Sequence, residues 1–264
     1  MKRRFRKMHG LGNDFVVFDG REAPFAISPE QVRALADRRT GIGSDQLILI
    51  EPSDKADVRM RIWNADGGEA EACGNAARCV ALVAGSAGCT IETAGGIISG
   101  AASDGVAEID MGPPRFGWDE IPLAYALDTA RLPLAWEGLE TPFAVNVGNP
   151  HLVFFVPDAD AVPLDRLGPV IEQDPLFPDR VNVGVAEVAD GALKLRVWER
   201  GAGLTRACGT GACAAAVAAV HRGLATSPMD VRLPGGTLRI AWAPGETIRM
   251  TGPAAFVFEG EIAL

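Results

Sequence analysis

The chain has 264 residues, 48% of them hydrophobic and 22% charged, with a formal net charge of −9, which is ordinary composition for a globular protein. No apolar run reaches the roughly 18 to 20 residues a membrane helix needs, and the acidic balance opposes a polyanion, so spanning a membrane and binding nucleic acid are excluded as expectations. Five cysteines (Cys73, Cys79, Cys89, Cys208, Cys213) without short Cys-x-x-Cys spacing, beside only three histidines, indicate free thiols in a reducing compartment, with no metal expected.

Residues 2–7 are basic but lack the apolar h-region of a signal peptide, so a cytoplasmic location is expected. Gly10-Leu11-Gly12-Asn13-Asp14 reads as a glycine turn leading into the apolar strand Phe15-Val16-Val17-Phe18. Residues 28–38 read as a covering helix with Ser28 as N-cap and Pro29 at its first position. Gln46 begins a buried strand, and residues 58–64 alternate in the manner of a strand ending at Asn64. After Asp66-Gly67-Gly68 comes Cys73, then Gly74-Asn75 and an apolar helix over 76–84. Short strands follow to 110, with Gly95-Gly96 as a turn.

Most of this pattern occurs again. Val147-Gly148-Asn149-Pro150-His151 precedes an apolar strand 136 positions after the first glycine turn, and Asn182 falls opposite Gln46 at the same displacement. Trp198 and Cys208 follow Trp63 and Cys73 by 135 positions, which sets Glu199 opposite Asn64 and Gly209-Thr210 opposite Gly74-Asn75. Gly235-Gly236 and Gly252-Pro253 repeat Gly95-Gly96 and Gly112-Pro113 at 140. Two units are therefore expected: 1–116, completed by a strand over 254–264, and 117–253, with 116–142 read as a linker or crossing strand. Each unit should be an α+β domain, a mostly antiparallel sheet around a central helix. The helices over 76–84 and 212–220 lack a polar face and should be buried.

Each helix start would carry one cysteine in a place that favours a thiolate and a bound anion. If pseudo-symmetry sets the two starts across a cleft, a ligand there meets one thiol on each side. Such a pair suits inversion of a carbon stereocentre: one thiolate removes the α-proton while the other thiol protonates the opposite face. Backbone N–H groups at Gly74, Asn75, Gly209 and Thr210 could hold the substrate carboxylate as charge develops. Cys79, Cys89 and Cys213 read as small buried residues.

Over almost its whole length the chain resembles the diaminopimelate epimerase family, through residues 8–15, Asn64-Ala65-Asp66-Gly67, Ala72-Cys73-Gly74-Asn75, Asn146-Val147-Gly148-Asn149-Pro150-His151, Glu199-Arg200-Gly201 and Ala207-Cys208-Gly209-Thr210-Gly211-Ala212. The resemblance implies cofactor-independent interconversion of LL- and meso-2,6-diaminopimelate, in lysine and peptidoglycan precursor synthesis, by a homodimer. It implies Cys73 and Cys208 as the acid–base pair. It implies substrate contacts from Asn13, Gln46, Asn64, Asn149, Asn182, Glu199 and Arg200 and from the main chain at Gly74-Asn75 and Gly209-Thr210. His151 is a secondary candidate, for tuning thiol protonation or for a structural part in its turn. The chain departs from the family pattern at Ala76, where Gly is usual. Three rivals stand beside this reading. A proline racemase-like or hydroxyproline epimerase-like activity leaves Arg200 and several Asn unexplained; the others are a small-molecule binding protein with incidental cysteines and a redox device joining Cys73 to Cys208.

Overall fold

The computed structural model describes residues 2–70, 73–85 and 88–264, so Ala72 of the first cysteine motif lies outside the described residues. The chain divides into two compact units, Met1–Asp110 with Thr251–Leu264, and Met111–Met250.

The first unit contains strands β1 (Lys2–Gly10), β2 (Asn13–Asp19), β3 (Gln46–Glu51), β4 (Val58–Asn64), β5 (Glu69–Ala70), β6 (Cys89–Thr93), β7 (Gly96–Ser103) and β8 (Val106–Asp110), and helices α1 (Pro29–Ala36) and α2 (Gly74–Ala84). Neighbours pair antiparallel except β2 with β3 and β4 with β6, which are parallel. Phe15 to Phe18 and Leu47 to Ile50 are buried without alternation, as strands covered on both faces must be. One face, with Val16, Phe18, Leu47, Leu49 and Trp63, packs on Val32 and Leu35 of α1. That helix starts as its sequence requires: Ser28 Oγ accepts the Gln31 N–H and the Gln31 side chain accepts the Ser28 N–H, a capping box with Pro29 behind it. The sheet curves around α2, which packs against β1, β4, β6, β7 and β8.

The second unit repeats the plan. After a short hairpin, β9 (Ala135–Trp136) and β10 (Leu139–Glu140), come β11 (Phe143–Asn146), β12 (Pro150–Phe155), α3 (Leu164–Glu172), β13 (Asn182–Ala189), β14 (Ala192–Glu199), β15 (Gly203–Thr205), α4 (Gly209–His221), β16 (Met229–Leu233) and β17 (Gly236–Ala241). Here β12 with β13 and β14 with β16 are the parallel pairs. The register repeats too: Phe15 pairs with Gln46 as His151 pairs with Asn182, and Val58 with Ile91 as Leu193 with Val231. Each unit is thus an α+β domain of mostly antiparallel pairing, wrapped on a helix.

Gly209 to Ala219 are all buried, and α4 packs on β11, β12, β13, β14, β16 and β17. A helix enclosed on every side must be apolar all round, and its small side chains let the strands close on it. The Gly-to-Ala departure at Ala76 is taken up inside α2, where Ala76 is fully buried.

Residues 116–142 differ from the linker expected of them. They supply Ile121, Leu123, Leu132 and Leu139 to the core shared by β12, β13 and α3, so their Pro and Trp content marks packed turns. Strand β18 (Arg249–Pro253) leads out of this unit, and the last strand, β19 (Ala255–Ala263), pairs antiparallel with β1.

Candidate active site

In the first unit Cys73 is the N-cap residue of α2, in extended conformation at φ −150° and ψ 110°. Strand β4 and the short β5 turn back ahead of it, and the first intrahelical bond runs from the Ala77 N–H to the Cys73 carbonyl. Gly74 and Asn75 therefore occupy the first turn, where N–H groups point out of the helix end. The Cys73 thiol lies 3.8 Å from Asn13 Oδ1, which also accepts a 3.0 Å hydrogen bond from Asn75 Nδ2. The structure thus brings Cys73, Asn13 and Asn75 together. Gln46 and Asn64, paired across β3 and β4, form a second group in which Gln46 Nε2 donates to Asn64 Oδ1 at 2.8 Å. Gln46 Oε1 is left as a buried acceptor with no donor among the described residues.

Beneath Asn13 lies an ion network that sequence reasoning missed. Arg38 donates to Asp14 and Asp45, and Lys7 donates to Asp14 and to the Gly43 carbonyl. Burial alone would raise the Asp14 pKa, but hydrogen bonds from Arg38 and Lys7 hold it well below the usual carboxylate range. The signal for this network is Lys7 among the basic residues of β1, since Lys7 is buried.

The second unit places Cys208 as the N-cap residue of α4, at φ −121° and ψ 106°. Its surroundings differ. Cys208 is buried, its sulfur accepts the Gly211 N–H at 3.3 Å, and Thr210 Oγ1 lies 3.6 Å away. Burial first, and then the Glu199 carboxylate, push the Cys208 thiol well above its ordinary value, while Thr210 and Gly211 pull it the other way. The resting Cys208 is a thiol beside a carboxylate. Glu199 also accepts the Thr205 hydroxyl hydrogen bond, so Cys208, Thr210 and Glu199 are gathered in one place.

Asn149, His151, Asn182 and Arg200 pair among themselves. His151 Nε2 meets Asn149 Oδ1 at 2.9 Å. Asn182 uses its amide structurally, accepting the Arg200 N–H at 2.9 Å and donating to the Pro150 carbonyl at 2.8 Å. The Arg200 guanidinium donates to the Asp179 carbonyl. His151 is fully buried, Nδ1 has no partner among the described residues, and burial, with the Arg200 charge, lowers its pKa to about 3. It is therefore neutral at physiological pH.

Glu172 on α3 is another residue sequence reasoning missed. This buried carboxylate accepts Trp198 Nε1–H at 2.7 Å and the Gly201 N–H at 3.1 Å, so it clamps both sides of Glu199-Arg200. The position 136 residues earlier is Ala36, so the repetition that marked the others does not mark Glu172.

Among solved structures the chain is similar to a predicted epimerase of Pseudomonas aeruginosa, with 20% identity, a TM-score of 0.71 and coverage of 99% of each chain. It is also similar to a hydroxyproline epimerase of Agrobacterium vitis with bound trans-4-hydroxy-L-proline, with 17% identity, a TM-score of 0.68 and coverage of 99% of this chain and 91% of that one. At such identities the likeness is one of fold, a duplicated two-unit architecture shared with epimerases. Sequence goes further. The diaminopimelate epimerase family model matches residues 5–117 and 143–257. A diaminopimelate epimerase of Rhizorhabdus wittichii is 63% identical over 267 residues, covering 100% of this chain and 97% of that one. The chain is an isomerase and belongs to the diaminopimelate epimerase family.

Proposed function

We propose that the protein interconverts LL- and meso-2,6-diaminopimelate by proton exchange at one α-carbon, without a cofactor, with Cys73 and Cys208 as the two acid–base groups. The observation that carries this reading is the repeated one: in a chain of this family, each unit caps its buried helix with a cysteine. Two such groups serve inversion, because the proton must leave one face of the carbon and arrive at the other.

The two half-sites divide the work by their chemistry. Cys208 rests as a thiol because burial and Glu199 disfavour a second negative charge beside it. A substrate ammonium held by Glu199 cancels that charge. Cys208 then gives up its proton to solvent as the substrate binds, and the Gly211 N–H stabilises the resulting thiolate, which removes the α-proton. Cys73, whose hydrogen-bond partner is an oxygen, carries the proton delivered to the opposite face. In the reverse direction the roles exchange.

As the α-carbon loses its proton, charge spreads onto the substrate carboxylate, and the main-chain N–H groups at Gly74-Asn75 and Gly209-Thr210 are the donors for it. Asn13, Gln46, Asn64, Asn149, Asn182, Glu199 and Arg200 complete the recognition set. The Gln46 Oε1 acceptor suits an ammonium and Arg200 the distal carboxylate. Asn182 contributes by fixing the Arg200 main chain. His151 is neutral, which confines it to orienting Asn149 and shaping the pocket.

Among the described residues no helix is long and apolar enough to cross a membrane. The reading places the protein in the cytoplasm as a homodimer serving lysine and peptidoglycan precursor synthesis. The test supplies LL-diaminopimelate and, separately, L-proline to the purified protein and follows configuration by chiral chromatography. Formation of the meso isomer with proline untouched is expected; proline racemisation with diaminopimelate untouched would transfer the assignment to the proline racemase class.

A further inference from the structure

Among the described residues Arg78 is the largest fully buried side chain, and it is the lone charge in a helix made mostly of small and apolar residues. Its guanidinium donates to the Pro253 carbonyl and, at 2.8 Å, to Asn75 Oδ1. The Asn75 amide then donates to Asn13 Oδ1 at 3.0 Å, and Asn13 Nδ2 donates to Asp45 Oδ2 at 3.0 Å. Two side-chain amides are thus strung between a group that only donates and a carboxylate that only accepts. An asparagine alone can turn over and exchange its oxygen for its NH2. Here neither can, because Arg78 demands the oxygen of Asn75 and Asp45 demands the NH2 of Asn13. The direction of the whole chain is set from its two ends.

We propose that Arg78 and Asp45 are positioning residues: they lock Asn75 and Asn13 in one orientation, so that Asn13 presents its oxygen to the Cys73 sulfur as acceptor for the S–H and holds that cysteine in its proton-carrying form. The proposal takes from the preceding section only that Cys73 is an acid–base group. The second unit lacks the device. At the positions matching Asn75 and Arg78 it has Thr210 and Cys213, and its sulfur receives a donor, the Gly211 N–H. The duplicated half-sites are wired with opposite polarity toward their thiols. Gly10 makes room for the arrangement, since a Cβ there would stand 2.8 Å from an Arg78 Nη atom and 3.3 Å from Asn75 Cβ.

The test reads the ionisation of Cys73 directly and needs no turnover, so its failure is separate from failure of the assigned activity. Site-resolved alkylation of the full chain is followed against pH, with peptide mass spectrometry reporting each cysteine separately. Other titratable and charged groups on the elements that carry or pack against the chain of amides stay constant among the variants: Lys7 and His9 on β1, Asp14 on β2, Arg38 ahead of β3, Arg59 and Arg61 on β4, Cys79 on α2, Cys89 and Glu92 on β6, and Glu108 and Asp110 on β8.

Either end alone sets the direction of both amides, so neither single variant, Arg78→Met or Asp45→Asn, should lower the Cys73 midpoint; only with both ends released can Asn13 offer its NH2 to sulfur. In Arg78→Met/Asp45→Asn the midpoint should fall, with alkylation at neutral pH about threefold faster or more, because the reactive thiolate fraction grows. The double variant loses one charge of each sign, and the fall should persist at 1 M salt, where the screening length is about 3 Å and a purely Coulombic effect is suppressed. A midpoint unchanged or raised in the folded double variant, or a fall abolished by salt, overturns the proposal. Should that variant fail to fold, Asn75→Ala/Asp45→Asn, which releases Asn13 from both neighbours, decides on the same outcomes.

Discussion

His151 links protonation to stability at the level of a single side chain. Its folded-state pKa of about 3 lies below the unfolded value near 6.5, so the folded protein binds fewer protons than the unfolded one between them. Its stabilising contribution is complete above pH 6.5 and is lost as pH falls toward 3. Over that interval it amounts to something on the order of 5 kcal/mol, taking one pKa unit as about 1.4 kcal/mol. Urea denaturation across the interval should show this slope in the wild type and lose most of it in His151→Gln; equal slopes would remove His151 as its source. Glu172 works by hydrogen bonding. In Glu172→Gln one of the two donors it satisfies, Trp198 Nε1–H or the Gly201 N–H, is set against an NH2 group. A cost of about 1 to 3 kcal/mol is expected from the unsatisfied buried group, and KM should rise as the Glu199-Arg200 turn loosens. An unchanged denaturation midpoint and KM would show the clamp to be dispensable.

At the scale of elements, α3 meets β14 most tightly where Gly168 faces Trp198. A Cβ on Gly168 would lie 2.4 to 2.8 Å from Trp198 Cγ, Cδ2 and Cβ, the near end of that side chain, which leaves α3 no way to stay in place. Gly168→Ala should cost about 1 to 3 kcal/mol through overpacking and depress turnover by displacing the strand that ends at Glu199. Calorimetry with initial rates checks both, and a variant as stable and active as wild type would contradict the packing. The element scale is also where the sequence was most legible. The helices after Cys73 and Cys208 were readable because runs of Ala and Val without a polar face have no stable place except inside. The segment 116–142 misled because Pro and Trp punctuate packed turns as readily as linkers, and its core residues Ile121, Leu123, Leu132 and Leu139 are too scattered for any period to reveal. Arg78 is a lone charge in an apolar helix, yet the groups it reaches through Asn75, namely Asn13 and Asp45, come from two other segments, and local sequence carries no record of that meeting.

For the molecule as a whole, duplication is the organising fact. Two units of the same strand order and register, each with a cysteine capping its enclosed helix, were legible because internal repetition serves as its own comparison. What duplication could not reveal is where the copies differ: Arg78 against Cys213, Asn75 against Thr210, Asn64 against Glu199. Those differences make the thiols chemically unlike, one facing an amide oxygen and one a backbone N–H beside a carboxylate. Two unlike thiols that act as a pair should show non-additive losses, with Cys73→Ala and Cys208→Ala each removing nearly all turnover and the double variant removing little more. The decisive measurement incubates LL-diaminopimelate with wild type and with each single variant in deuterated water, following α-proton washout by NMR and configuration by chiral chromatography. The account predicts deuterium in the inverted product from wild type and no inversion from either variant; inversion at the wild-type rate by either one would contradict the two-thiol assignment.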